Sequence, residues 1–406
     1  MSNLDTSRPV LLLGGGASTL AAVRSLGSAG ITVYVSGLSG CRAMHSRHCA
    51  KAFPVPEPRP AEDFWRDLLL ERAVPELQGA IILVGCDESL TFVENYEDEL
   101  RQRYVVEEFV TDLRHAMLDK YETLVRAREA GIPTPAFWEI HSAEDVYKLR
   151  DELRFPVMVK PLSSVGFMEK FGRKLFIIND SIDEVAEKVA LCREHGQDVL
   201  LVEMIPGPDS LLSSYYTYRT PSGRSLYDYT KSIIRRWPVN RGGACFHQSE
   251  WLPETAAMGW KLFDSIGWQG IGNVEFKRDL RDGQLKIIEV NGRLTAGHPL
   301  IIKGGAPIDL AIYCHLTGQE VPRIENYSQA LRLWDPARDF MAFRQLHQRG
   351  ELTFAGWVRS IFSQSIVLPF FSFDDPKPGI TEALGVFGRA LGKIFDPVRR
   401  AQLNAD

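Results

Sequence analysis

Gly270-Ile271-Gly272-Asn273-Val274-Glu275-Phe276-Lys277 and Leu285-Lys286-Ile287-Ile288-Glu289-Val290-Asn291 are two short apolar runs, each interrupted by one glutamate. Both alternate and are rich in β-branched residues, which predicts strands. Arg281-Asp282-Gly283 between them predicts a three-residue hairpin loop with Gly283 in the left-handed position. That register sets Glu275 opposite Glu289, and alternation puts Asn273, Glu275 and Lys277 on one face with Ile287, Glu289 and Asn291. Facing like charges destabilise a ladder unless a cation lies between them. Magnesium suits the pair best, with manganese possible, because hard cations take carboxylate and amide oxygens and share them with phosphate groups. The alternative is that Lys277 and Arg293 neutralise the acids in a solvated network.

Working outward, 406 residues leave room for two or three domains, and 45% hydrophobic with 24% charged residues is ordinary globular usage. A formal charge of -5 gives no basic excess for a nucleic-acid partner. Met1 to Arg8 is short and polar, unlike a secretory signal, and no apolar run reaches membrane-spanning length. The six cysteines lie far apart, which suits a reducing compartment, so a cytoplasmic location is expected. Cys41, His45, His48 and Cys49 form a tempting cluster, but their spacing lacks the paired arms of structural zinc sites and reads as a polar loop.

Near the start, Val10 to Leu13 reads as a buried strand, Gly14-Gly15-Gly16 as a tight turn, Ala17 to Ala29 as a helix and Ile31 to Val35 as a parallel strand. This βαβ unit departs from the dinucleotide fingerprint. Thr19 stands where a glycine or alanine belongs, and Ser36 where an acid should hold a ribose. Ala80 to Gly85 predicts a further strand leading to Asp87 and Glu88, which read as helix N-caps.

After about residue 115 the pattern changes. Asp119-Lys120-Tyr121 opens a helix to Glu129, and Phe155-Pro156-Val157-Met158-Val159-Lys160-Pro161 is a strand ending in a lysine that shares a face with Met158. Ser163-Ser164-Val165-Gly166 is a candidate phosphate loop. Asp198 to Glu203 is a strong strand broken at Pro206-Gly207-Pro208, so the backbone of Met204 and Ile205 is available to an adenine edge. Strands follow at Leu211 to Tyr218, Ser225 to Ile234 and Ala244 to Trp251. The basic segment from Arg235 to Gly243 reads as a loop able to close over a polyphosphate.

This ordered series resembles the ATP-grasp superfamily over roughly residues 10 to 325. Within it the run Glu289-Val290-Asn291-Gly292-Arg293 is similar to that of carboxylate-amine ligases. The resemblance implies an α/β chain: an N-terminal Rossmann-like domain over 1–115, an α+β ATP-binding part with subdomains over 116–195 and 196–325, and a helical C-terminal extension over 326–406. It implies ATP and magnesium as cofactors. Lys120 and Lys160 would hold the phosphates, Glu203, Met204 and Ile205 the adenine, and Asp209 the ribose. Glu275, Glu289 and Asn291 would hold one or two metal ions, and Arg293, assisted by Arg235, would stabilise the phosphoryl group in flight.

The implied reaction joins a small carboxylate to an amine through an acyl phosphate. The segment Leu294-Thr295-Ala296-Gly297-His298-Pro299 lacks the Gln-Val-Glu run of biotin-dependent carboxylases, which turns the reading away from biotin carboxylation. His298 and Lys303 are weaker candidates for the substrate or the amine proton. The C-terminal extension reads as helices at Asp339 to Arg349, Leu352 to Phe362 and Ile380 to Ile394 around an apolar loop, Pro369 to Phe373. Its aromatic residues with Arg389, Lys393, Arg399 and Arg400 raise a peripheral membrane contact as an alternative to a cap on the core. Two rival functions stay open: an amino-acid ligase acting on a cell-envelope or polysaccharide precursor, and a nucleotide-binding sensor without turnover.

Overall fold

A computed structural model describes residues 4–162, 167–324 and 326–395. The chain forms two compact units. The first comprises Met1–Glu107, Arg293–Phe340 and Ala355–Asp406; the second comprises Glu108–Gly292 and Met341–Phe354.

The first unit opens with a parallel sheet ordered β3-β2-β1-β4-β5, built from β1 (Val10–Leu13), β2 (Val33–Gly37), β3 (Cys49–Pro54), β4 (Ile81–Val84) and β5 (Val105–Val106). Helices α1 (Ala17–Ser28), α2 (Ala61–Arg66), α3 (Asp87–Asn95) and α4 (Glu97–Arg101) connect these strands. Every residue of β1 and β4 is buried, which is why both are unbroken apolar runs. Gly14 and Gly15 turn the chain from β1 into α1 at φ of 68° and 89°. Thr19 bonds back to the Gly14 carbonyl at 2.7 Å, and a Cβ on Gly15 would fall 2.0 Å from its hydroxyl.

In the second unit α5 (Thr111–Leu118) and α6 (Lys120–Glu129) lead into a four-stranded sheet ordered β6-β9-β7-β8. Its strands are β6 (Phe137–Ile140), β7 (Val157–Pro161), β8 (Phe176–Ile178) and β9 (Val199–Glu203), with helices α7 (Ala143–Lys148), α8 (Phe167–Phe171) and α9 (Ile182–Glu194). Strand β9 is buried on both faces. Val199 and Leu201 join a core with Val185, Val189 and Cys192 of α9, while Leu200 and Val202 join the core of the larger sheet. The small sheet therefore reaches Glu203, past the boundary expected at residue 195, because β9 lies between β6 and β7.

The larger antiparallel sheet has its second-unit strands in the order β14-β13-β10-β11-β12: β10 (Leu212–Arg219), β11 (Ser225–Trp237), β12 (Gly243–Ser249), β13 (Gly270–Arg278) and β14 (Leu285–Asn291). Helix α10 (Pro253–Ser265) covers one face, where Tyr215, Phe263, Trp268, Val274, Phe276, Leu285, Ile287 and Val290 share a core. Gly259 of α10 makes that contact close, since a Cβ there would lie 2.3 Å from the Tyr215 ring.

The chain then re-enters the first unit with α11 (His298–Lys303), α12 (Ile308–Leu316) and β15 (Leu331–Trp334). Helix α13 (Pro336–Gln348) lies mostly in the second unit, and helix α14 (Phe354–Phe362), strand β16 (Ser365–Val367) and helix α15 (Lys377–Phe395) complete the first. Residues expected to form a separate helical extension thus belong largely to the first unit, and β15 and β16 form a parallel pair that periodicity did not reveal. Arg24 of α1 binds Asp375 and the Phe370 carbonyl, and Arg42 binds Glu382, which fastens the C-terminal segment to this unit.

Candidate active site

The face of the β10–β14 sheet away from α10 carries polar residues in rows. Glu289, Glu275, Ser214, Lys231 and Ser249 oppose one another in succession across five strands, and Asn291, Asn273, Tyr216 and Tyr229 form the next row. Directly opposed residues share a face, so this side is chemically distinct from the core side.

Glu275 and Glu289 are opposite, but the route to that register differs from the expected one. Near the turn Arg278 pairs with Leu285, Lys277 with Lys286 and Phe276 with Ile287; one residue of β14 is then extra before Glu275 meets Glu289. This bulge corrects the expected facing. Ile287 lies in the core with Phe276, while Glu289 and Asn291 turn to the other side. The sequence signal is that buried positions Leu285, Ile287 and Val290 are spaced by two and then by three. Gly283 has the expected left-handed φ of 72°.

Lys277 does not neutralise the acids. Its ammonium bonds the carbonyls of Ile205 at 2.9 Å and Gly207 at 2.8 Å, pinning the segment after β9. Burial, then Arg236, pushes its pKa down to about 8 against the pull of Asp209 and Asp279. The cation facing the pair is Lys231, which sequence reading missed. It is fully buried, 3.0 Å from His247 Nδ1 and 5.6 Å from the centre of the Tyr216 ring. Burial lowers its pKa to about 8, opposed by Glu275 and Glu289. A lysine at the end of the alternation Tyr227, Tyr229, Lys231 was the available signal. The hydroxyl of Ser214, between Glu275 and Lys231 in the row, is buried without a hydrogen-bond partner among the described residues.

Asn291 donates to Glu289 Oε1 and Asn273 Oδ1, both at 3.3 Å. Two carboxylates and an amide are hard oxygen donors of the kind that would suit magnesium. Among the described residues no group of three or more His, Cys, Asp or Glu side chains could hold a metal, and this includes the Cys41–Cys49 cluster. Burial raises the thiol pKa of Cys41 and takes that of Cys49 to about 11.

On the smaller sheet Lys160 lies opposite Leu200 and shares its face with Met158, as alternation required. Its pKa is lowered to about 8 by burial and then by Lys120, against Glu289. Lys120 is the first residue of α6, whose N-terminus is capped by the Asp119 carboxylate through Tyr121 and Glu122, and its ammonium reaches the Leu162 carbonyl at 3.4 Å. The segment Ser163-Ser164-Val165-Gly166 lies outside the described residues.

The acidic residues expected at adenine and ribose already hold protein partners. Glu203 takes Arg281 at 2.6 Å, and Asp209 takes Arg236 at 2.7 Å and the Asn240 N–H at 3.3 Å. Met204 donates its N–H to the Pro156 carbonyl at 2.9 Å, whereas no hydrogen bond engages that of Ile205 among the described residues. Arg235 and Arg236, read as part of a loop, lie within β11; pairing with β12 keeps the chain extended to Trp237. Arg235 is buried with its guanidinium 4.8 Å from the centre of the Phe246 ring.

Arg293 belongs to the first unit. It forms a two-pronged ion pair with Asp87, the first residue of α3; Cys86, not Asp87, is the N-cap. His298 is buried at the start of α11 with its Nε2 unpartnered among the described residues, and burial takes its pKa to about 3, which makes it a poor proton acceptor.

Comparison with known proteins decides what this frame is. A solved structure of N5-carboxyaminoimidazole ribonucleotide synthetase in complex with ADP matches 80% of the chain and 81% of its own length with a TM-score of 0.60, at 12% identity. The chain has the ATP-grasp fold. An L-amino acid ligase from Bacillus licheniformis shares this ATP-grasp arrangement with a TM-score of 0.56 over 79% of each chain, at 17% identity. By sequence, a D-alanine–D-alanine ligase from Xylella fastidiosa is 26% identical over 207 residues, which is 48% of the chain and 64% of that ligase. No family model matches.

Proposed function

We propose that this ATP-grasp chain is an ATP- and magnesium-dependent ligase that joins a small carboxylate to an amine through an acyl phosphate. The observation that carries it is the facing pair Glu275 and Glu289 with the buried Lys231 on the same sheet face. The likeness to ligases of amino acids supports the reaction class.

Lys120, Lys160 and Lys231 would bind the phosphates, and the Ile205 N–H would meet the adenine edge, held in place by the grip of Lys277 on the neighbouring carbonyls. A magnesium ion on Glu275, Glu289 and Asn291 would supply positive charge to the phosphates. A carboxylate oxygen of the first substrate attacks the γ-phosphorus as the bond to the ADP oxygen breaks. The amine nitrogen then attacks the acyl carbon; the C–N bond forms, the C–O bond to phosphate breaks, and the amine proton passes to solvent. The protein contributes placement and charge, so no side chain has to act as nucleophile. Arg293 enters by chain position, two residues after Asn291, and Arg235 by its place on β11.

The test is ADP release over paired panels of carboxylates and amines, with product mass measured. The proposal requires an amide product that disappears in Glu289→Gln while the fold survives. Wild-type turnover in that variant would remove it; tight ATP binding without any ADP release would favour the sensor.

A further inference from the structure

Helix α15 is packed inside out. Its inner side has few large apolar residues: Pro378 is buried, Thr381, Glu382, Gly385 and Val386 are partly covered, and Glu382 accepts from Arg42 at 2.7 Å in the 3-10 turn Arg42–His45. Gly379 lets the helix start close to the chain at Phe371, where a Cβ would fall 2.8 Å from the Phe371 backbone. The outer side is apolar. Ile380, Leu384 and Phe387 are 51%, 65% and 63% exposed, and Ala383 and Gly388 complete the face. The spacing of i, i+4 and i+7 is that of one helical stripe, which ordinarily turns toward a core. In the sequence the same spacing continues at Leu391 and Ile394.

Something must cover that stripe in the working protein, because contiguous apolar surface of this kind is costly in water. Charge selects the occupant. The whole chain carries -5, yet residues 377 to 400 hold Lys377, Arg389, Lys393, Arg399 and Arg400 against only Glu382 and Asp396. A second copy would bring this basic segment against itself. The polar terminal run Asp396 to Asp406 offers no apolar stripe to lay on the helix. A negatively charged surface with an apolar interior matches both properties, and no described helix is long and apolar enough to cross a membrane.

We propose that α15 lies on an anionic lipid surface, with Ile380, Leu384 and Phe387 entering the headgroup–acyl boundary. The assignment does not depend on the ligase reading. The test is co-sedimentation of the full chain with vesicles of phosphatidylcholine alone or mixed with phosphatidylglycerol. Binding is expected to the mixed vesicles at low salt, weakened by raised salt and several-fold lower on neutral vesicles. Leu384→Glu/Phe387→Glu is expected to lower the bound fraction about tenfold with an unchanged melting temperature, since both side chains face solvent. Should that variant melt early, Arg389→Glu/Lys393→Glu carries the same expectation.

Wild-type protein left in the supernatant at low salt would overturn the assignment, as would undiminished binding by a folded variant. A lipid-free dimer that Leu384→Glu/Phe387→Glu converts to monomer would overturn it in favour of a second copy.

Discussion

Glu275 stands opposite Glu289 across the β13–β14 ladder because one residue of β14 is left over between Ile287 and Glu289. Regular alternation would give Ile287 and Glu289 the same face; the bulge instead sends one into the core and the other to the candidate metal site.

That geometry makes a deletion informative. Removing Ile288 keeps Phe276 with Ile287 and Glu275 with Glu289, so the protein is expected to fold with a modestly lower melting temperature. Its magnesium-dependent stabilisation in the presence of ATP is expected to weaken, because the extra twist that aims Glu289 is gone. A chain that aggregates on expression would argue that no residue is spare in this ladder.

Lys231→Met replaces a buried ammonium by an apolar side chain of similar length. The desolvation relieved is outweighed by loss of the charge that faces Glu275 and Glu289, so the melting temperature is expected to fall measurably while the protein still folds. If Lys231 binds the phosphates as proposed, turnover is expected to fall by about a hundredfold or more. Steady-state ADP release beside a thermal melt separates the two effects.

Lys160 and Lys231 each have pKa values lowered to about 8. Polyphosphate favours their charged forms, so ATP binding is expected to take up protons above pH 8 and to weaken as pH rises through 8. Calorimetry at pH 8.5 in buffers of different ionisation enthalpy measures the uptake. At pH 7 both lysines are already largely protonated, and the uptake is expected to be small.

Asp309 on α12 is buried, with Ser25 donating to Oδ1 at 3.0 Å and Oδ2 unpartnered among the described residues; burial raises its pKa to about 7. A folded pKa above the unfolded one means that stability is full below about pH 4, declines toward pH 7 and is level beyond. Asp309→Asn removes this loss. Its melting temperature is expected to exceed that of wild type at pH 8 and to match it at pH 4, which paired melts at the two values check.

Local pattern was enough for the βαβ opening, for the strands that carry Lys160, Glu203, Glu275 and Glu289, and for the Asp119 cap that starts α6. Each depends on neighbours within a few residues: unbroken apolar runs, period two, a side chain reaching an N–H two or three positions on. The limits appeared where partners come from afar. Lys277 looked like the counter-charge to Glu275, yet it serves carbonyls some seventy residues earlier in the chain. Glu203 and Asp209 looked available to a nucleotide, yet Arg281 and Arg236 hold them.

The sequence by itself determined the fold class, the main strands and helices that carry the candidate residues, and most of the acids, lysines and arginine from which a site could be drawn. Tertiary structure alone decided which of these meet. Strand pairing set Lys231 in the same row as the two glutamates, the bulge turned Glu289 away from the core, and the packing of α15 on the Arg42–His45 turn left its apolar stripe facing outward. The physical reason is that side-chain direction along one strand or helix follows a short local period, whereas burial and pairing depend on chain segments far away in sequence.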